Sequence, residues 1–137
     1  MYRILFLLFL LTVSLLAIGQ KSISTVRSSD IKVDGLLNEP IWQETEEVSG
    51  FTQITPDVGA KATEETSVKV LYDDDALYIG AHCYGSPEVI SKVFSQRDSY
   101  NSNTDYFSVM LDTYKDRLNG FVFSVSTLGV QYDAKIY

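Results

Sequence analysis

The stretch Thr66-Ser67-Val68-Lys69-Val70-Leu71-Tyr72, then Asp73-Asp74-Asp75-Ala76, then Leu77-Tyr78-Ile79-Gly80-Ala81-His82-Cys83, decides the fold class. Val68, Val70 and Tyr72 alternate with Lys69 and Leu71. Leu77, Ile79, Ala81 and Cys83 alternate with Tyr78, Gly80 and His82. A period of two marks a half-buried strand, because successive side chains leave opposite faces of the backbone. Two such runs around an acidic turn predict an antiparallel β-hairpin.

The same period returns toward the C-terminus. Phe107, Val109 and Leu111 alternate with Tyr106, Ser108 and Met110; Phe121, Phe123 and Val125 with Val122, Ser124 and Ser126. Val130, Tyr132, Ala134 and Ile136 alternate with Gln131, Asp133 and Lys135. Asn119-Gly120 and Leu128-Gly129 supply turn chemistry between these runs. After the break at Gly85-Ser86-Pro87, Val89 to Phe94 reads as a short strand entering an Arg97-Asp98 loop. Toward the N-terminus, Ile31-Lys32-Val33 reads as a short strand and Asp34-Gly35 as a turn. Asn38 is placed to cap a short helix, with Pro40 near its start and Ile41 and Trp42 pointing inward. Phe51 is expected to anchor the irregular stretch from Val48 to Pro56. Helical periodicity is otherwise absent. The expectation is all-β: an antiparallel β-sandwich, jelly-roll or immunoglobulin-like, over residues 31–137. Tyr137 ends an alternating run with no closing turn, so the sandwich is expected to be incomplete at that end.

The first twenty residues obey a different rule. Met1-Tyr2-Arg3 is a short basic start, Ile4 to Leu16 is almost wholly apolar, and Ala17-Ile18-Gly19 offers small residues for a peptidase. The apolar run is about thirteen residues, short of the ~20 that span a bilayer. Residues 1–19 therefore read as a signal peptide, with an uncleaved membrane anchor as the alternative, residues 20–30 as a polar linker, and the chain as exported to the periplasm, outer membrane or exterior. The 137 residues carry eleven basic and eighteen acidic side chains, a net charge of −7. That balance argues against nucleic acid as a partner. One Cys and one His exclude an internal disulfide and any Cys- or His-rich metal site. Lone Cys83 is expected to be a small buried apolar residue.

Three segments carry a family resemblance. Val33-Asp34-Gly35-Leu36-Leu37-Asn38-Glu39 with Trp42, the hairpin Val70 to Gly80, and Asp105 to Asp112 together resemble, in order and spacing, family 9 carbohydrate-binding modules. Phe51-Thr52-Gln53, Arg97-Asp98, Leu111 to Asn119 and Gly129 to Asp133 resemble a subgroup in large bacterial envelope proteins. In that subgroup the module stands at the N-terminus, ahead of a β-rich region that looks like an outer-membrane barrel. The resemblance implies a non-catalytic module for polysaccharide or oligosaccharide, linked to polysaccharide catabolism, with a downstream domain of the same polypeptide as neighbour. It also implies sugar ligands at positions that here hold Ser102, Ser108 and Phe123 or Ser124, so those ligands are not retained.

The residues themselves offer another surface. Stacking on a sugar ring needs flat aromatic faces, and adjacent hydroxyls suit planar polar groups. Tyr106, Ser108, Ser124, Ser126, Gln131 and Asp133 are expected to share the face opposite the Phe/Val core, overhung by Arg97, Tyr100, Asn101 and Asn103. Arg97, Tyr100, Asn101, Asn103, Tyr106, Gln131 and Asp133 are thus the carbohydrate candidates; a plain solvated sheet face is the alternative. Trp42 is expected to be a core anchor. No cofactor is required by any motif; calcium is the metal that Asp73, Asp75, Asp112 and Asp116 invite, with acidic turns as the alternative. No catalysis is expected. Asp105 and Asp112, seven residues apart on one strand, have Cα atoms about 23 Å apart, against the roughly 5–9.5 Å of a glycosidase pair.

Overall fold

The computed structural model describes residues 21–137; the expected signal peptide, 1–19, lies outside them. Among the described residues no helix is long and apolar enough to cross a membrane. The described residues are nearly all-β, as their alternation predicts, with two three-stranded, antiparallel-rich sheets compatible with a β-sandwich. It divides into two compact units, one ending at Cys83 and the other running from Tyr84 to Tyr137.

In the first unit, β1 (Val26–Arg27) lies parallel to β2 (Thr66–Tyr72), which pairs antiparallel with β3 (Leu77–Cys83). The predicted hairpin is therefore present, in the register Thr66↔Cys83 to Tyr72↔Leu77. Opposed residues share a face, so Ser67, Lys69, Leu71, Tyr78 and Gly80 form one side of it. On that side Leu71 is fully buried and Gly80 is buried. Helix α1 (Pro40–Glu44) is too short to persist without tertiary packing, and Trp42, 3 % exposed, provides that packing. A Cβ on Gly80 would stand 3.1 Å from the Trp42 ring and 2.7 Å from Leu37 Cδ2, so only glycine leaves room for the indole. Lys69 Nζ donates to the Trp42 carbonyl at 2.6 Å, closing the helix onto the sheet.

Several local expectations are corrected. Glu39, not Asn38, is the N-cap of α1, without a side-chain cap bond. Residues 31–33 form no strand, and Val33 is 90 % exposed. The short strand falls instead at β1, inside the polar stretch read as a linker. There Ser28 N–H donates to the Tyr72 carbonyl and Thr25 Oγ1 to the Val70 carbonyl, backbone-directed bonds that side-chain alternation does not announce. Phe51 sits at the surface, with the Lys21 ammonium 5.6 Å from its ring centre. Cys83 is exposed, because it ends β3 where cover runs out.

In the second unit, β4 (Tyr106–Leu111), β5 (Gly120–Ser126) and β6 (Gln131–Ile136) form an antiparallel meander. Residues 89–94 are not a strand. They are held by side chains instead: Ser91 N–H donates to Asp105 Oδ2, and Val93 N–H to Thr104 Oγ1. Asn119-Gly120 is not the β4–β5 turn, since Gly120 already belongs to β5. Lys115 and Arg117 take the left-handed conformations there, stabilised by the carboxylates of Asp112 and Asp116. Between β5 and β6, Gly129 has φ +77°, the left-handed value its turn requires.

Candidate functional site

The register of the second unit divides the carbohydrate candidates. Tyr106↔Ser126, Ser108↔Ser124 and Ser124↔Tyr132 place Tyr106, Ser108, Ser124, Ser126 and Tyr132 on one face. Phe107↔Val125↔Gln131 and Phe123↔Asp133 place Gln131 and Asp133 on the other, beside the Phe/Val side chains. The expected common face is therefore wrong for β6. Side-chain polarity suggested it, and a one-residue difference in register moves a whole strand's side chains across the sheet. Burial is also inverted along β5. Ser124 and Ser126 are 8 % and 5 % exposed, whereas Phe123 and Val125 are 49 % and 41 % exposed.

The buried serines are satisfied locally. Ser108 and Ser124 hydroxyls meet at 2.7 Å. Ser126 Oγ accepts from Leu128 N–H and Val130 N–H, closing the hairpin turn. Small side chains on β5 thus leave a low strip between Tyr106 and Tyr132. The Tyr100 ring stacks on Tyr106, centroids 5.0 Å apart and planes 19° apart, and meets Tyr132 edge-on at 6.1 Å. Tyr106 OH accepts from Asn101 N–H at 3.1 Å, and Asn101 Oδ1 accepts from Asn103 N–H at 2.9 Å, which fixes the loop. Thr104, 6 % exposed, donates to the Ser91 carbonyl and roots that loop. Tyr100, Asn101 and Tyr106 are therefore brought together, and Asn103 supports them through its backbone. Tyr132 was missed because it falls in an apolar alternation; its diagonal relation to Tyr106 across β5 was the available signal.

Arg97, Gln131 and Asp133 form a separate cluster. Arg97 Nη1 donates to Gln131 Oε1 at 2.5 Å and Nη2 to Asp133 Oδ1 at 3.2 Å, while Asp98 Oδ2 lies 3.3 Å from Nε. Asp98 N–H donates to the Gln131 carbonyl, so this segment runs along the outer edge of β6.

The acidic loops hold their own backbones. Asp73 Oδ1 accepts from Asp75 N–H and Ala76 N–H at 2.8 Å, and Oδ2 from the Tyr78 phenol at 2.7 Å. These bonds, the Tyr78 one foremost, hold the Asp73 carboxyl below its ordinary pKa, and the same contact raises that of Tyr78. Asp74 pairs with Arg27. Asp116 accepts from Leu118 N–H, Asn119 N–H and Asn119 Nδ2, and the Asn119 side chain leads in lowering its pKa. Asp112 accepts from Asp116 N–H and Arg117 N–H. Among the described residues no group of three or more His, Cys, Asp or Glu side chains is arranged to hold a metal ion.

Compared with family models, curated proteins and solved structures, the chain matches none.

Proposed function

We propose that this chain is a non-catalytic glycan-binding module of an exported protein, and that Tyr100 is its stacking platform. One observation carries the reading. Tyr100 remains 63 % exposed although one face of its ring rests on Tyr106, so an aromatic plane is held in fixed orientation toward solvent. Stacking on a pyranose needs such a plane, and holding it in advance lowers the entropy cost of binding. The Asn101–Asn103 loop beside it carries planar amide groups suited to hydroxyls, while the buried serines leave the sheet low beneath the rings. The resemblance to family 9 modules supports the reading through its three ordered motifs; in this reading the chain belongs to a larger envelope protein and brings it to polysaccharide. Calcium, if used, would act through the Asp73–Asp75 and Asp112–Asp116 loops.

The test is a glycan array probed with the full mature chain, in calcium and in EDTA. Saturable binding lost in Tyr100→Ala is the expected result. Retained binding in that variant would remove Tyr100 from the site. A second reading, a docking domain beside an outer-membrane barrel with no sugar affinity, is favoured by the exposure of Phe123 and Val125 on the part of the sheet face that β4 and β5 line with apolar side chains. A clean negative on folded protein would select it.

A further inference from the structure

Phe94, Ser95, Arg97, Val130 and Gln131 line a shallow groove of about 410 Å³ beside the start of β6. We infer that this groove is a second sugar subsite, selective for neutral rings over uronic acids; the inference rests on the glycan-binding reading above but uses none of the Tyr100 cluster. Phe94 is 80 % exposed and lines the groove, so its apolar ring is open to a ligand. Beside it the Arg97 guanidinium and the Gln131 amide are already locked together at 2.5 Å, and Asp133 fixes the other arm of the guanidinium. Their planar groups are therefore oriented before any ligand arrives. Gln131 Oε1 is occupied by Arg97, which leaves its two Nε2 protons for ligand oxygens, while Asp133 Oδ2 offers an acceptor. Ser95 Oγ, in the groove wall, is buried and has no partner.

An aromatic face next to fixed donors and a carboxylate acceptor is the chemistry of a hydroxylated ring. Charge decides its class. One guanidinium is shared by two carboxylates, Asp98 at 3.3 Å and Asp133 at 3.2 Å, so the cluster is net negative. An anionic sugar would meet repulsion rather than a free cation.

The experiment is an NMR titration of the full mature chain with cellotetraose, xylotetraose, mannotetraose and tetragalacturonate. It follows the Gln131 amide, the Phe94 ring and, separately, the Tyr100 ring. The expected result is saturable movement of Gln131 and Phe94 with at least one neutral probe, weakened about tenfold or more in Phe94→Ala. Tyr100→Ala should leave those signals intact, and tetragalacturonate should bind more weakly. The double variant Asp98→Asn, Asp133→Asn, which frees the Arg97 charge, should reverse that preference. Groove signals that stay still while Tyr100 moves would overturn this inference alone. Groove signals that move while Tyr100 stays still would support it and remove the Tyr100 platform. Silence at both loci would overturn both, and tetragalacturonate binding as tightly as the neutral probes would overturn the selectivity.

Discussion

Each unit has one three-stranded sheet and one conspicuous aromatic residue, and the two residues are treated oppositely. Trp42 in the first unit is buried, its ring received by the bare backbone of Gly80 and its carbonyl held by Lys69. Tyr100 in the second is mostly exposed, because Tyr106 and Tyr132 already occupy the sheet beneath it. The difference shows what separates an anchor from a platform. An aromatic ring becomes core where a glycine opens space below it, and becomes a surface plane where other rings have filled that space. The first prediction attacks this contrast directly. Trp42→Ala should cost about 3–5 kcal/mol, as truncation of buried aromatics does. Tyr100→Ala should cost only about 0.5–1.5 kcal/mol, the worth of an aromatic pair. Urea denaturation followed by circular dichroism measures both. Equal losses would break the comparison.

Gly80 sharpens it. Adding a methyl there brings Cβ to 2.7 Å from Leu37 Cδ2, the movable end of a side chain, and 3.1 Å from the indole. Gly80→Ala should therefore cost about 1–3 kcal/mol by overpacking. In the Trp42→Ala background the methyl enters vacated space, so the double variant should be more stable than the two single losses combined would make it. Strict additivity would mean that Gly80 and Trp42 are not coupled, and that the anchor depends on something else.

The same contrast explains what was legible beforehand. The Val68–Cys83 hairpin and the strands at 106–111, 120–126 and 131–136 could be read because alternation of side chains is a local property. Trp42 as an anchor was legible from the short helical segment that carries it. Burial within β5 was not, because the buried Ser124 and Ser126 have their hydroxyls satisfied by local hydrogen bonds, which hydrophobicity does not encode. The split of Gln131 and Asp133 from Tyr106 was not legible either, since it depends on the pairing register set by the Thr127–Val130 turn. Of the candidate surface, the Tyr100–Asn103 loop and the Arg97 cluster were both chosen by residue type. Only geometry shows that they are two places.

The smallest effect distinguishes the two acidic loops. Asp73 is held by a phenol and Asp116 by an amide, and only the phenol titrates. Both carboxyls lie below their ordinary 3.8 in the folded chain. Their bonds therefore stabilise fully above that value, and the contribution is lost as pH falls through the lower folded pKa. Tyr78 lies above its ordinary 10.0. The neutral phenol is the bonded form, so its contribution is complete below 10.0 and is lost as pH rises through the higher folded pKa. Tyr78→Phe should thus differ from the native chain across a plateau with two shoulders, one acidic and one alkaline. Asn119→Ala should show the acidic shoulder only. Carbon-detected titration of the two carboxyls should show Asp73 rising toward 3.8 in Tyr78→Phe, with Asp116 unmoved. An alkaline shoulder in Asn119→Ala would mean that the second loop is held by a group other than the amide.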